Sequence, residues 1–235
     1  MEADKKGHLF VLSGPSGAGK GAICAGLTVS ERVALSVSVT TRAPREHEVN
    51  GKSYYFVDKE KCKEILEKDG LLEYAEVFGE YYGTPRAPVL EKLDQGIDVI
   101  LEIEVDGATQ VKERMPDAVL VFIMPPSFEE LRRRIEKRGT ESPESIEKRL
   151  ARAESEVAQL GKYDYCVVNG KLKKAINDVF AIMYAVRWFS KYTQFSHMLM
   201  GLQNMMAVRR AVRLKLTDES VQKIIEGYRA GSKAN

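Results

Sequence analysis

The chain has 235 residues, 44% of them hydrophobic, which is enough to bury the core of one main domain with inserts. Thirty-six basic and 34 acidic side chains give a formal net charge of +2, too small to predict general binding to nucleic acid or to an acidic membrane. The three cysteines show neither disulfide nor zinc spacing, and no stretch approaches the roughly 20 apolar residues of a membrane helix. The apolar run at residues 9–12 is too short for a signal peptide, so we expect a cytoplasmic protein.

Short apolar runs without polar alternation predict buried strands. They lie at residues 9–13, 99–104, 119–124 and 165–169. Helical patterns fall between these runs. Strands that alternate with helices predict an α/β fold, an open parallel sheet covered by helices on both faces.

Three helices have distinct signals in the sequence. Ser127 and Glu130 form a capping box after two prolines, which predicts a helix start. Ser142 followed by Pro143 predicts another start. Residues 175–190 place apolar side chains at helical spacing, which predicts a third helix.

Two parts of the chain differ in composition from this pattern. Residues 37–89 are rich in Thr, Arg, Pro, Gly and Tyr, which predicts a small inserted subdomain of strands and turns. Residues 191–235 carry Met and other apolar side chains at helical spacing, which predicts a C-terminal helical extension. Such an extension can form a homo-oligomer or partner interface, or pack back on its own domain, and the sequence leaves both open.

The first predicted strand runs directly into a glycine-rich loop that ends in a lysine. The pattern Gly-x-x-x-x-Gly-Lys in a strand-to-helix context is that of a Walker A phosphate loop. Glycines let the backbone N–H groups point at phosphate oxygens, the helix N-terminus adds positive potential, and Lys20 reaches the β and γ phosphates. The alternative, a flexible loop that only caps a helix, does not explain the fixed spacing. The predicted ATP-binding residues are Gly14, Pro15, Ser16, Gly17, Ala18, Gly19, Lys20 and Gly21.

The residue after the lysine departs from the usual pattern. Ser or Thr commonly stands there as a Mg²⁺ ligand, whereas this chain has Gly21 followed by Ala22. Because Mg²⁺ keeps several waters in such sites, a water can replace the hydroxyl, and we expect weaker metal binding.

A second set of motifs follows in order along the chain. The stretch from Ser38 to Phe56 reads Ser-Val-Thr-Thr-Arg-Ala-Pro-Arg-Glu-His-Glu-Val-Asn-Gly-Lys-Ser-Tyr-Tyr-Phe. Further motifs are Leu-Leu-Glu73-Tyr-Ala, Tyr81-Tyr82-Gly83-Thr84, Glu102-Ile-Glu104, Arg138-Gly-Thr140, Lys148-Arg149-Leu150 and Val168-Asn169. With these motifs the chain resembles the guanylate kinase family over roughly residues 7 to 190. Asp106 and Gly170 stand where the family commonly has Gln and Asp.

The resemblance implies a fold and an activity. The fold is a phosphate-loop three-layer α/β/α core at residues 1–36, 90–126 and 151–190. A GMP-binding insert at 37–89 and a helical lid at 127–150 complete it. The implied enzyme transfers the terminal phosphoryl group of ATP to GMP with Mg²⁺, so its expected partners are the two small-molecule substrates.

The acceptor phosphate needs fixed cationic donors. Arg42 and Arg45, on either side of Pro44, can clamp a phosphate dianion, and Tyr54 and Tyr82 would add phenolic donors. A solvated basic turn and aromatic packing within a small sheet are the competing interpretations.

The acceptor base is assigned by the resemblance. It implies that Glu73 accepts from the N1–H and 2-amino groups of guanine, and that Ser38 and Thr84 donate to O6. A site built this way rejects AMP, because its buried polar groups would be left unpaired. From the sequence alone, Glu73 could equally lie on a surface helix.

The transition-state groups are also assigned by resemblance. Phosphoryl transfer relies on in-line positioning and charge neutralisation, and Arg138 and Arg149 match lid residues that close over the phosphates. A solvated arginine-rich helix face is the alternative. Glu102 and Glu104 end a predicted strand, where open parallel sheets bind ligands. The resemblance assigns Glu102 to the water shell of the metal and Glu104 to the GMP side.

Asn169, at the end of the last predicted strand, is expected to border the adenine pocket. Three rival functions share parts of this pattern: a scaffolding module that binds phosphorylated partners without catalysis, a kinase for AMP or dTMP, and a phosphoryl transferase for a ribose phosphate. Lys20 with both lid arginines argues against the first, and the guanine-reading residues argue against the others.

Overall fold

The computed structural model describes residues 6–77, 79–137 and 143–192, together with Gln222 and Glu226. Its strands are β1 (Leu9–Ser13), β2 (Val33–Leu35), β3 (Val39–Thr40), β4 (Tyr55–Phe56), β5 (Leu71–Val77), β6 (Glu80–Pro85), β7 (Asp98–Glu102), β8 (Val119–Met124) and β9 (Tyr165–Val168). Its helices are α1 (Lys20–Leu27), α2 (Lys59–Glu67), α3 (Arg86–Asp94), α4 (Val105–Arg114), α5 (Phe128–Glu136), α6 (Pro143–Ala158) and α7 (Leu172–Tyr192).

The central sheet is parallel and has the strand order β2-β7-β1-β8-β9. The four predicted strands are all present, but β7 ends at Glu102 and β9 at Val168 rather than at residues 104 and 169. Strand β2 was not predicted, because it is only three residues long and lies at the edge of the sheet. Its first residue is buried and its last is exposed, so it has no continuous apolar pattern.

Both faces of this sheet are covered, as the sequence predicts. Successive residues of a strand point to opposite faces. Leu9 and Val11 of β1 pack in a cluster with α3, α4, α5 and α6, whereas Phe10 and Leu12 pack in a second cluster with α1 and α7. Burying each of these large apolar side chains contributes about 1.5–3 kcal/mol, so the central strand is firmly fixed beneath the loop that follows it.

A second sheet, of order β4-β3-β6-β5, is built within residues 37–89. β3 pairs antiparallel with β6 and parallel with β4, while β5 and β6 form a long antiparallel pair in which Glu73 lies opposite Thr84. The composition of this region predicts strands and turns, and the strands are present, but the region also contains helix α2, which the composition does not predict.

The helix signals are confirmed where the structure describes them. The Ser127 hydroxyl accepts from the Glu130 amide at 3.2 Å, so it caps α5. Helix α6 begins at Pro143, while Ser142 and the predicted helices of 193–235, apart from Gln222 and Glu226, lie outside the described residues. Of the helices that the structure describes, none is both long and apolar enough to cross a membrane.

Candidate active site

The loop between β1 and α1 is shaped by three glycines. Gly14, Gly17 and Gly19 have φ values of 132°, 92° and 89°. A residue with a side chain adopts such positive φ values only with backbone strain. At Gly14 a Cβ atom would also collide with the carbonyl oxygen of Ile123. The Ala18 amide donates to the Pro15 carbonyl at 3.0 Å and closes the curl. The structure therefore has the bend that a phosphate loop requires.

Lys20 is the first residue of α1 and is largely buried. Its ammonium group donates to the carbonyl of Gly14 and to that of Pro15, the latter at 3.4 Å. These contacts hold the ammonium group across the loop. Lys20 is thus placed beside the backbone that would surround a bound phosphate.

Glu102 faces the position of the missing hydroxyl. A Cβ atom added to Gly21 would lie 3.4 and 3.5 Å from the Glu102 carboxylate oxygens. Burial raises the pKa of Glu102, and the positive charge of Lys20 opposes that rise. Burial also raises the pKa of the neighbouring Cys24 thiol to about 12, so it stays protonated near neutral pH. Within the described part of the chain, no group of three or more His, Cys, Asp or Glu side chains could hold a metal by itself.

Glu73 lies at the junction between the inserted sheet and the core. Its side chain is on β5 with only 6% of the residue exposed, so the surface-helix interpretation is wrong. The Thr84 hydroxyl donates to Glu73 Oε1 at 2.6 Å. On its other side, a Cβ atom at Gly107 of α4 would come within 2.7 Å of Glu73 Oε2. Burial raises the pKa of Glu73, and the Thr84 hydrogen bond and the charge of Arg114 oppose that rise.

Arg42, Tyr54 and Tyr82 come together at one end of the inserted sheet. The Arg42 guanidinium lies 5.7 Å from the centre of the Tyr54 ring, which meets the Tyr82 ring edge-on at 6.1 Å. The same guanidinium donates to both oxygens of Glu48, at 2.8 and 3.0 Å. Glu48 also accepts from the backbone amide of Arg45 at 2.8 Å. Arg42 is therefore oriented by a carboxylate that sequence reasoning had not singled out.

The remaining predicted acceptor residues are Ser38, Arg45 and Glu104. The Ser38 carbonyl accepts from the Tyr55 amide at 2.8 Å, just before β3, and the Arg45 side chain is exposed. Glu104 is the residue that precedes α4, and it accepts from Arg152 at 3.2 Å.

Arg149 brings the predicted lid region into contact with the phosphate loop. Arg149 of α6 donates to the Ser16 hydroxyl at 3.3 Å, whereas Arg138 lies outside the described residues. The neighbouring Arg133 pairs with Glu130 at the surface, so the solvated-face interpretation suits that residue.

Asn169 follows β9 and is buried against the loop. Its side-chain amide donates to the Ala18 carbonyl at 2.8 Å, and the backbone carbonyl of Asn169 accepts from Arg134 at 2.8 Å. The structure therefore gives Asn169 a direct role in supporting the loop backbone, while its expected place beside an adenine ring stays a prediction.

The chain has a glycine loop after the central strand of a parallel sheet, and a second sheet with an arginine and a buried carboxylate. These features define a phosphate-loop protein of the nucleotide-binding class. The comparisons narrow this class. The family model described as guanylate kinase matches residues 6–186. A guanylate kinase of Caldanaerobacter subterraneus subsp. tengcongensis is 50% identical over 186 residues, 79% of this chain and 90% of that protein.

Two further relatives agree. A guanylate kinase of Thermus thermophilus is 51% identical over 182 residues, 77% of this chain and 83% of that protein. The crystal structure of guanylate kinase from Anaplasma phagocytophilum has a TM-score of 0.61 at 33% identity and covers 88% of this chain and 97% of that one. The chain belongs to the guanylate kinase family.

Proposed function

We propose that this enzyme phosphorylates GMP to GDP with ATP as the phosphoryl donor, in purine nucleotide metabolism. The observation that carries the proposal is the buried Glu73–Thr84 pair in a chain that also has the bent loop of a phosphate site. A carboxylate paired with a hydroxyl matches the donors and the acceptor along the edge of guanine.

On the donor side, residues 14–21 bind the ATP phosphates with backbone N–H groups. Lys20 neutralises charge on the β and γ phosphates, and Arg149 and Arg138 stabilise the transferred group from the lid. Asn169 supports the loop from below and borders the adenine. No covalent intermediate is needed, because in-line positioning and charge stabilisation carry this reaction.

On the acceptor side, the Glu73 carboxylate accepts from N1–H and the 2-amino group, and the Ser38 hydroxyl donates to O6. The Thr84 hydroxyl has a single proton, which it gives to Glu73 in the structure, so it would turn from Glu73 to donate to O6 when GMP binds. The GMP phosphate is held by Arg42, Arg45, Tyr54 and Tyr82, with Glu104 near the nucleotide. A phosphate dianion would share the Arg42 guanidinium with Glu48, since a planar fork can serve two acceptors.

The residues around Gly21 fit Mg²⁺ brought in by the nucleotide. Magnesium in such sites takes one or two carboxylates, the substrate phosphates and several waters, and Glu102 is the carboxylate that faces Gly21. Glu102 would act through a bound water. The ion would supply positive charge next to the β and γ phosphate oxygens.

The proposed moving parts are the insert at residues 37–89 and the lid at 127–150, which close on the core and exclude water before transfer. The three cysteines are buried and free, which suits a reducing, cytoplasmic setting. The family match ends at residue 186, so the extension at 191–235 has no part in this assignment.

A coupled assay tests the proposal. The purified protein is offered GMP, dGMP, AMP, UMP and dTMP, each with MgATP, and ADP release is followed. We expect ADP formation with GMP and little with AMP. Equal rates with AMP would overturn the choice of acceptor, and GMP binding without ADP release would favour a non-catalytic binding module.

A further inference from the structure

An acidic side chain of α6 is buried next to the candidate active site without a role in the function proposed above. Glu156 is only 5% exposed, and its carboxyl group interacts with Arg152 and Glu104. Carboxylates are rarely buried unless they are paired, because removing the charge from water costs several kcal/mol. Its partners therefore identify what the burial serves.

Glu156 contacts Arg152, one turn earlier on the same helix, and its carboxyl group also interacts directly with that of Glu104. Arg152 Nε donates to Glu156 Oε1 at 3.1 Å, and an NH2 group of the same guanidinium donates to Glu104 Oε2 at 3.2 Å. One planar cation thus joins a carboxylate on α6 to the carboxylate that precedes α4. Glu104 is the acceptor-side residue of the proposed reaction.

The charges that surround Glu156 belong to the active site. Burial raises the pKa of Glu156 to about 7, and the negative charge of Glu104 acts in the same direction. The positive charges of Arg152 and of Lys20 in α1 oppose the rise. The negative charge of Glu156 in turn helps to raise the pKa of Tyr163, after the larger effect of burial. Glu156 is therefore within electrostatic reach of the phosphate-loop lysine.

The same face of α6 also contacts the donor loop. Residues 149, 152 and 156 follow the three- and four-residue spacing that places side chains on one face of a helix. Arg149 reaches Ser16 at 3.3 Å, and Arg152 reaches Glu104. One helix face thus touches the donor and the acceptor sides of the site.

We propose that Glu156 is a positioning residue that acts through Arg152 to fix the Glu104 carboxylate at the acceptor side of the site. The proposal rests on the function proposed above, in which Glu104 lies near GMP. Glu156 holds the guanidinium at a fixed angle, and the guanidinium then holds Glu104. The GMP side depends on this chain of contacts, while the ATP side does not.

The test compares Glu156→Gln, Arg152→Met, Arg152→Lys and the double variant Glu156→Gln/Arg152→Met in the full chain. Glu154→Gln is the matched control, since Glu154 is an exposed acid on the same helix. The readouts are kcat, KM for GMP, KM for ATP and Tm. We expect Glu156→Gln and Arg152→Met to raise KM for GMP about three- to fivefold, the range for partly exposed ion pairs, with KM for ATP unchanged.

Two outcomes separate a positioning role from a structural one. The double variant should match Arg152→Met, because Glu156 acts through Arg152, and Arg152→Lys should not rescue, because an ammonium cannot bridge both carboxylates as a planar fork does. A lower Tm with an unchanged KM for GMP would overturn the proposal. An unsubstituted chain without GMP-dependent ADP release would instead overturn the proposed function on which it rests.

Discussion

The phosphate loop and the inserted sheet offer different kinds of binding group. The loop presents backbone groups, and its shape is set by three glycines after the central buried strand. The inserted sheet presents side chains from separate strands, such as Arg42 beyond β3 and Glu73 on β5. Backbone groups suit phosphates, which any ATP carries, whereas side chains are needed to tell one base from another.

This difference determines how each region should respond to substitution. In the loop, most side chains can vary as long as the curl is kept, and only the lysine carries chemistry of its own. In the insert, each polar side chain contributes separately to selectivity. Donor-side changes should therefore affect rate with every acceptor, and acceptor-side changes should affect the choice of acceptor.

The largest expected effect is that of Lys20→Ala. Loss of the ammonium that neutralises the transferred group should lower kcat/KM by about 10³-fold, the size seen when one preorganised transition-state charge is removed. The ratio of GMP to AMP activity should not change. Lys63→Ala, on the exposed face of α2, is the matched control. Near-normal turnover of the Lys20 variant in the coupled assay would contradict the donor-side assignment.

The second largest expected loss of activity is that of Glu73→Gln. The amide oxygen of a glutamine can accept a hydrogen bond from only one of the two guanine donors. The amide NH2 group then faces the other donor, and no hydrogen bond can form there. We expect kcat/KM for GMP to fall about 10²-fold while AMP is hardly affected, because the loss concerns buried hydrogen bonds to the base. Glu76→Gln, exposed on the same strand, is the control. An unchanged GMP to AMP ratio would show that another residue reads the base.

The two regions also differ in how far the sequence predicts them. The loop could be placed residue by residue, because backbone conformation requires glycine at fixed positions and the signal is local. The lone Glu73 gave no such signal. Its partner Thr84 is brought to it by antiparallel pairing, so only the family resemblance indicated its role.

The residues that sequence reasoning missed lack a local signature for the same physical reason. Glu48 and Glu156 are acids within charged stretches, and nothing in the spacing of α6 distinguishes buried Glu156 from exposed Glu154. Burial is decided by which face of the helix meets the core. Strand β2 was missed because an edge strand of three residues has no long apolar run.

A smaller effect is expected for Gly107→Ala. The added methyl group would stand 2.7 Å from Glu73 Oε2, so the carboxylate must move out of line with the base. We expect KM for GMP to rise about tenfold and KM for ATP to stay constant, since small misplacements of a binding group weaken only its own contacts. Gly161→Ala is the control, because a Cβ there meets nothing within 4 Å. Equal effects of the two variants on KM would argue against a Glu73 contact with GMP.

The smallest expected effect tests the one irregular position of the loop, and it concerns the donor side alone. Gly21→Ser would direct a hydroxyl toward Glu102, at the place where phosphate loops commonly supply a magnesium ligand. We expect the Mg²⁺ concentration for half-maximal velocity to fall about threefold, because the hydroxyl would replace one exchangeable water of the ion with a fixed ligand. Gly21→Ala adds the same Cβ without the hydroxyl and should leave the Mg²⁺ dependence unchanged. If the Ser and Ala variants have the same Mg²⁺ dependence, the ion does not bind beside Gly21, and Glu102 then acts on Lys20 rather than on a metal-bound water.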